Sequence, residues 1–287
     1  MRWRDLRRSS NVRDVRGMGG RGRMPLSFGR RGRVGGGLGA LVVILLVLVF
    51  GGPDAVMQLL GGSAGVSPGP QQGRPLTAGD EDREFVERVL GSTEDVWGSL
   101  FAQSGQRYVA PELTLFAGSV RSACGFASSA SGPFYCPGDR RIYLDTSFFT
   151  ELARMGGPGD FAAAYVIGHE VGHHVQTLLG TSDQVRAAQA RGSEVEGNRL
   201  QVAMELQADC FAGVWAYHAN RPAPVLEPGD VEEGLGAAEA IGDDTLQRNA
   251  GRNVTPDSFT HGSSGERQRW LGAGLRTGDP SACDTFN

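Results

Sequence analysis

Apolar residues recur along much of the chain at helical spacing. Phe85/Val86, Val89/Leu90, Val96/Trp97 and Leu100/Phe101 stand three, four and seven positions apart, which predicts a helix over 80–104 packed by one face. A short apolar run at 113–117 predicts a strand. After a Gly/Ser-rich loop, 134–136 and 141–144 predict a hairpin, because Pro137-Gly138-Asp139-Arg140 between them is turn chemistry. Beyond Asp145, a natural helix cap, the period returns to that of a helix and predicts segments near 146–155, 159–179, 182–190, 193–220, 229–242 and 263–275. This is the pattern of an α+β domain, mainly helical with a small sheet, spanning 80–287.

One stretch has no such periodicity. Residues 34–53 carry no charge and include LGALVVILLVLVF, and 20 residues at about 1.5 Å each span roughly the 30 Å of a bilayer core. They predict one transmembrane helix. Residues 54–79, rich in Gly, Pro, Ser and Gln, read as a flexible linker. A cleaved signal peptide expects a shorter leader and a small-residue cleavage site, and no clear A-x-A site follows.

Charge sharpens the division. Residues 1–33 hold 11 Arg against Asp5 and Asp14, a balance of +9, so a whole-chain net charge of -4 leaves the remainder at -13. By the positive-inside rule, 1–33 is a basic cytoplasmic arm and 80–287 lies on the extracytoplasmic side of the cytoplasmic membrane, the chain crossing once. Beside a membrane span, anionic headgroups account for the arginines, so no nucleic-acid partner is expected. Apolar residues at 40% and charged ones at 21% exclude collagen, coiled-coil and disordered classes. None of the 28 basic residues is lysine, which excludes Schiff-base, Ser-Lys and P-loop chemistry.

All four cysteines follow the apolar run, and an even number in an exported domain favours disulfides. Cys124 and Cys136 flank the hairpin region and can close a short loop, which leaves Cys210 with Cys283. Three connectivities are open to four cysteines, and buried free thiols are the other possibility.

Three of the five histidines fall in His169-Glu170-Val171-Gly172-His173-His174, which contains H-E-x-x-H. On a helix, four residues turn about 400°, so His169 and His173 project from one face and can grip one Zn2+. Glu170, about 100° away, stands beside the metal's open position, where it can act as base. His174 cannot share that face and reads as a helix-flank residue without a catalytic role. A catalytic zinc needs a third ligand, and Glu194, Glu196, Glu205 and Asp209 are the candidates. Glu205 and Asp209 lie on a stripe of small and apolar residues, where unpaired carboxylates would be costly. Ligation by Glu205 and a hydrogen bond between Asp209 and a ligand histidine resolve both. Glu194 and Glu196 suit a first helical turn. His218 faces away from the metal. His261 either donates to the oxyanion of a tetrahedral intermediate or sits exposed in a capping turn before the last helix.

HEVGHHVQ (169–176), ELQADCFAGVW (205–215), FYCPGDRRIYLD (134–145), FTHGSSGERQRW (259–270) and the terminal GDPSACDTF together resemble the bacterial "putative neutral zinc metallopeptidase" family, the YpfJ-like proteins. The amino-terminal RRSSNVRDVRG and the following apolar run resemble it too, so the likeness covers nearly the whole chain. The resemblance implies a zincin-like fold and a gluzincin-type site in which E-x-x-x-D supplies Glu205 as ligand and Asp209 as its outer support. It also implies that 141–144, with Ile142 and Tyr143, forms the strand against which an extended peptide pairs. The function expected is a membrane-anchored zinc endopeptidase acting on peptide or protein substrates. The rival is a zinc-stabilised, non-catalytic envelope scaffold.

Overall fold

The structure, a computed structural model, describes residues 1–17, 80–221 and 223–287. The predicted membrane helix at 34–53 and linker at 54–79 lie outside the described residues. Among the described residues, no helix is long and apolar enough to cross a membrane.

The main sheet has four strands in the order β1 (Val12–Asp14), β2 (Glu112–Leu115), β6 (Arg141–Leu144), β5 (Phe134–Cys136). Leu113 faces Val12 on one side and Ile142 on the other in two parallel pairings, and Ile142 faces Tyr135 across the antiparallel hairpin. Alternation does the rest. Leu113, Leu115, Ile142 and Leu144 enter the main core, while Tyr143 packs with Phe116 and Cys136 on the opposite face. The hairpin turn is the one predicted, with Arg140 in the left-handed region at φ 57°.

The predicted Gly/Ser loop between β2 and β5 contains a second hairpin, β3 (Ser119–Ser122) and β4 (Gly125–Ser128). Its residues are exposed or half-buried, so no apolar alternation marks it in the sequence. Cys124 in its turn is bonded to Cys136 of β5, and Cys210 is bonded to Cys283, the two pairings the spacing favours.

The helices follow the periodicity closely: α1 (Glu81–Gln103), α2 (Ser147–Met155), α3 (Asp160–Leu178), α4 (Thr181–Gln189), α5 (Glu194–Ala219), α6 (Asp230–Ala240) and α8 (Ser264–Thr277), with a short α7 (Asp243–Asn249) in addition. Capping boxes Ser193/Glu196 and Ser263/Glu266 start α5 and α8. Two close crossings position the site. A Cβ at Gly172 of α3 would lie 2.9 Å from the Ala208 carbonyl oxygen of α5, and one at Gly274 of α8 would lie 2.0 Å from that of Cys210. Only glycine lets α5 be gripped this tightly from both sides.

One expectation is overturned. Residues 1–33 read as an arm standing apart from a domain that starts at Asp80, yet 1–16 belong to the domain. Trp3 is buried in the main core and β1 is an edge of its sheet. Three of the arginines are answered by carboxylates of α1: Arg4 by Glu81, Arg7 by Glu94 and Asp95, and Arg8 by Glu87.

Candidate metal centre

The apolar residues of α3 from Phe161 to Ile167 are all buried, so the helix runs through the core and carries its polar residues inside with it. Asp160 is its first residue and does not cap it. The Phe161 amide is taken instead by Glu233 of α6, 3.1 Å away. α5 crosses alongside and brings Glu205 to the two histidines. The Glu205 Oε2 atom is 3.1 Å from His169 Nε2 and 3.4 Å from His173 Nε2. The three donor atoms lie within 4.8 Å of one another.

The other ring nitrogens decide what this triangle can hold. His169 Nδ1 donates to Asp209 Oδ1 at 2.8 Å, and His173 Nδ1 donates to Gln176 Oε1 at 2.9 Å. Gln176 cannot be turned the other way round, because its amide group donates to the Met204 carbonyl at 2.7 Å and to Gln207 at 3.1 Å. Both imidazoles in neutral form therefore aim Nε2 lone pairs at a carboxylate. Three electron-rich atoms converging in a buried space call for a cation between them, and two His with one Glu is a zinc donor set. The electrostatics agree in sign. Burial alone would depress both imidazoles, but Asp209 and Glu205 outweigh it and hold His169 and His173 above their ordinary value. Burial would raise Glu205, yet the histidines hold it well below the usual carboxylate range.

Asp209 has no exposed surface and four donors. Its Oδ1 accepts from Tyr165 at 2.6 Å and Arg267 Nη2 at 2.9 Å as well as from His169, and its Oδ2 accepts from Arg267 Nε at 2.9 Å. Desolvation opposes its ionisation, and the guanidinium and imidazole overcome that to hold it down at about 2. Arg267 on α8 is itself 2% exposed. Gln201 donates to the remaining Glu205 oxygen at 2.9 Å.

Glu170 is buried, and desolvation raises its carboxyl above the ordinary value, against the pull of both histidines. The backbone of Tyr135 on β5 adds to that pull. A cavity of about 760 Å3 opens over these groups, walled by Phe148, Met155, Val166, Val185, Met204 and Ile241 among others. His261 is in its wall, half-exposed, with Nδ1 3.3 Å from Asp243 Oδ1 and its own amide on Asp243 Oδ2 at 2.6 Å. Sequence reasoning thus reached a loop that borders the site, and both its capping role and its access to the cavity are real.

Two expectations need correction. Ile142 and Tyr143 are not a substrate edge: β6 has β2 on one side and β5 on the other, and both residues are buried at 1% and 3% exposure. β5 is the edge strand, and Phe134 and Tyr135 line the cavity. His174 is not on the helix flank. It has no exposed surface, donates from Nε2 to the Val109 carbonyl at 2.6 Å and accepts from the Tyr135 hydroxyl at 3.1 Å. His218 does point elsewhere, at the Gly278 carbonyl. Gln176, Tyr165 and Arg267 escaped sequence reasoning. Gln176 and Arg267 fall inside motifs already quoted, but only the helix crossings show what they touch.

Burial pushes the His174 imidazole down from 6.5 to about 4. As pH falls, the unfolded chain takes up this proton near 6.5 while the folded one resists until about 4. The contribution to stability is thus whole above pH 6.5 and shrinks through that window, by on the order of 3 kcal/mol in total. Urea unfolding from pH 7.5 to 4 should show this excess loss in the wild type relative to His174→Gln. Parallel pH profiles for the two proteins would refute it.

Comparison with known proteins adds a family. A family model described as "Putative neutral zinc metallopeptidase" matches residues 1–286. The protein named "Uncharacterized protein YpfJ" of Escherichia coli (strain K12) is 45% identical over 291 residues, covering 100% of this chain and 99% of that one. An uncharacterized protein of Mycobacterium tuberculosis (strain ATCC 25618 / H37Rv) is 42% identical over 238 residues, covering 77% of this chain and 78% of its own length. No solved structure matches the chain.

Proposed function

The chain belongs to the neutral zinc metallopeptidase family, with Zn2+ as cofactor, and on that premise we propose that it is an endopeptidase with a gluzincin-type centre in a zincin-like fold. The observation that carries this reading is the pair of tautomers fixed by Asp209 and Gln176, which turns two imidazole lone pairs and Glu205 on one point. His169, His173 and Glu205 hold the zinc. When bound there, the metal polarises a scissile carbonyl and acidifies a water.

The chain's own groups do the rest. Glu170, raised by burial and not among the converging ligand atoms, takes the proton from the attacking water and returns it to the leaving amine. Asp209 fixes the His169 ring. His261, held through Nδ1 by Asp243, donates to the oxyanion from the cavity wall. An extended peptide pairs along β5, whose outer edge is free of any described strand and borders the cavity. The two disulfides support an oxidising, extracytoplasmic location for the domain, and the apolar run at 34–53 supports attachment to the cytoplasmic membrane.

A scaffold that binds zinc for stability alone has no use for a buried, unligated carboxylate beside the metal. Digestion of casein and of a peptide library should separate the two. The expected result is one zinc per chain, cleavage that stops with 1,10-phenanthroline, and recovery on adding zinc. Zinc binding without cleavage of any peptide would favour the scaffold.

A further inference from the structure

Outside the metal centre, the first 16 residues carry a dense set of polar contacts to the rest of the domain. The amino group of Met1 lies 2.6 Å from Asp160 Oδ1 and 3.2 Å from Asp230 Oδ1, at the start of the very helix that carries His169. Trp3 is 6% exposed and meets Phe85 edge to face. Arg7 binds Glu94 and Asp95, and Arg8 binds Glu87. The Ser9 amide donates to the Glu87 carbonyl at 2.8 Å, and the Ser9 hydroxyl and Asn11 amide both donate to Glu94. β1 then pairs with β2 for three residues, and Arg16, with 8% of its side chain exposed, joins Asp14 to Asp80.

The fit is cut on both sides. A Cβ at Gly91 of α1 would fall 2.2 Å from the Arg7 carbonyl oxygen, so α1 is shaped to receive this segment. Strand pairing, buried ion pairs and an inserted tryptophan need contact distances, whereas the apolar core of a bilayer is roughly 30 Å thick. A second copy cannot supply the segment from the far side either, since every copy in one orientation places it there.

We infer that residues 1–16 and 81–287 occupy one compartment, on the same side of any membrane. The single crossing with an inside amino terminus and an outside domain, read from the arginine count, is incompatible with this packing.

The test uses the full chain in bacterial cells, with one epitope inserted between Gly20 and Arg21 and another after Asn287. Protease treatment of spheroplasts should remove both epitopes or neither. Removal of one alone overturns the inference. A second measurement leaves the sequence untouched. The chain has no lysine, so no side-chain amine competes with the Met1 amino group. Carbodiimide treatment of membranes should join it to Asp160 or Asp230 as an amide, the reagent taking up the water, and peptide mapping reads the product. Absence of that amide, where Asp160 and Asp230 are nonetheless modified by an added amine, also overturns it.

Discussion

Glu170→Gln should leave zinc content unchanged and lower peptide hydrolysis by roughly 10^2- to 10^4-fold, the range lost when a positioned general base is removed. Gln keeps the shape and volume of the side chain, so the core around it has no reason to rearrange. It removes only the ability to take a proton. The wild-type group is prepared for that task by desolvation, which raises its carboxyl above the ordinary value and makes it a stronger base than an exposed glutamate. Zinc analysis and steady-state cleavage of one peptide, measured on the same preparations, give both halves of the result. Wild-type turnover in the variant would remove Glu170 from the mechanism, and loss of zinc would make it structural.

Arg267→Met should cost on the order of 3–5 kcal/mol of stability and weaken zinc binding by about 10- to 100-fold. The two effects share one cause. Asp209 is fully buried and ionised, and Arg267 is its bidentate counter-charge at 2.9 Å on each oxygen. Without it, Asp209 either stays charged in a dry site or takes up a proton. In the second case its grip on His169 Nδ1 weakens and the ring that presents Nε2 to the metal loosens. Arg267→Lys should fall between, since a single ammonium restores charge but not the two-pronged geometry. Urea unfolding with a zinc titration checks the pair, and adding Asp209→Asn in a double-mutant cycle isolates their coupling. A Met variant as stable as wild type, with the same zinc affinity, would show that the ion pair does nothing for the site.

The parts of the centre that sequence could reach are those with local periodicity. His169 and His173 share a helix face by spacing alone, and the small-residue stripe on α5 picks out Glu205 and Asp209 because a carboxylate there needs a partner. Arg267 and Tyr165 are invisible at that level. Arg267 meets Asp209 because Gly213 and Gly274 let α8 approach α5 closely, and Tyr165 meets it because Gly172 lets α3 do the same, which is a property of three helices together. The edge strand is hidden from the sequence for a similar reason. Local pattern identifies 134–136 and 141–144 as a hairpin but does not say which of the two takes β2 as a neighbour. The first 16 residues are the least legible of all. By charge alone they read as a free basic arm, although the acidic turns of α1 at Glu84, Glu87, Glu94 and Asp95 hold negative charge enough to receive several of their arginines.

β1 also sets a timetable for folding. It is the first strand made, but its partner in the sheet, Leu113–Leu115, lies about a hundred residues later, so the ladder closes only after a long stretch of chain has emerged. Until then β2 offers an open edge bearing two leucines, the kind of surface on which neighbouring nascent chains pair by mistake. A chain that loses its first 16 residues keeps every zinc ligand and stays permanently in that exposed state, so its aggregation would be easy to mistake for a defect of the metal site.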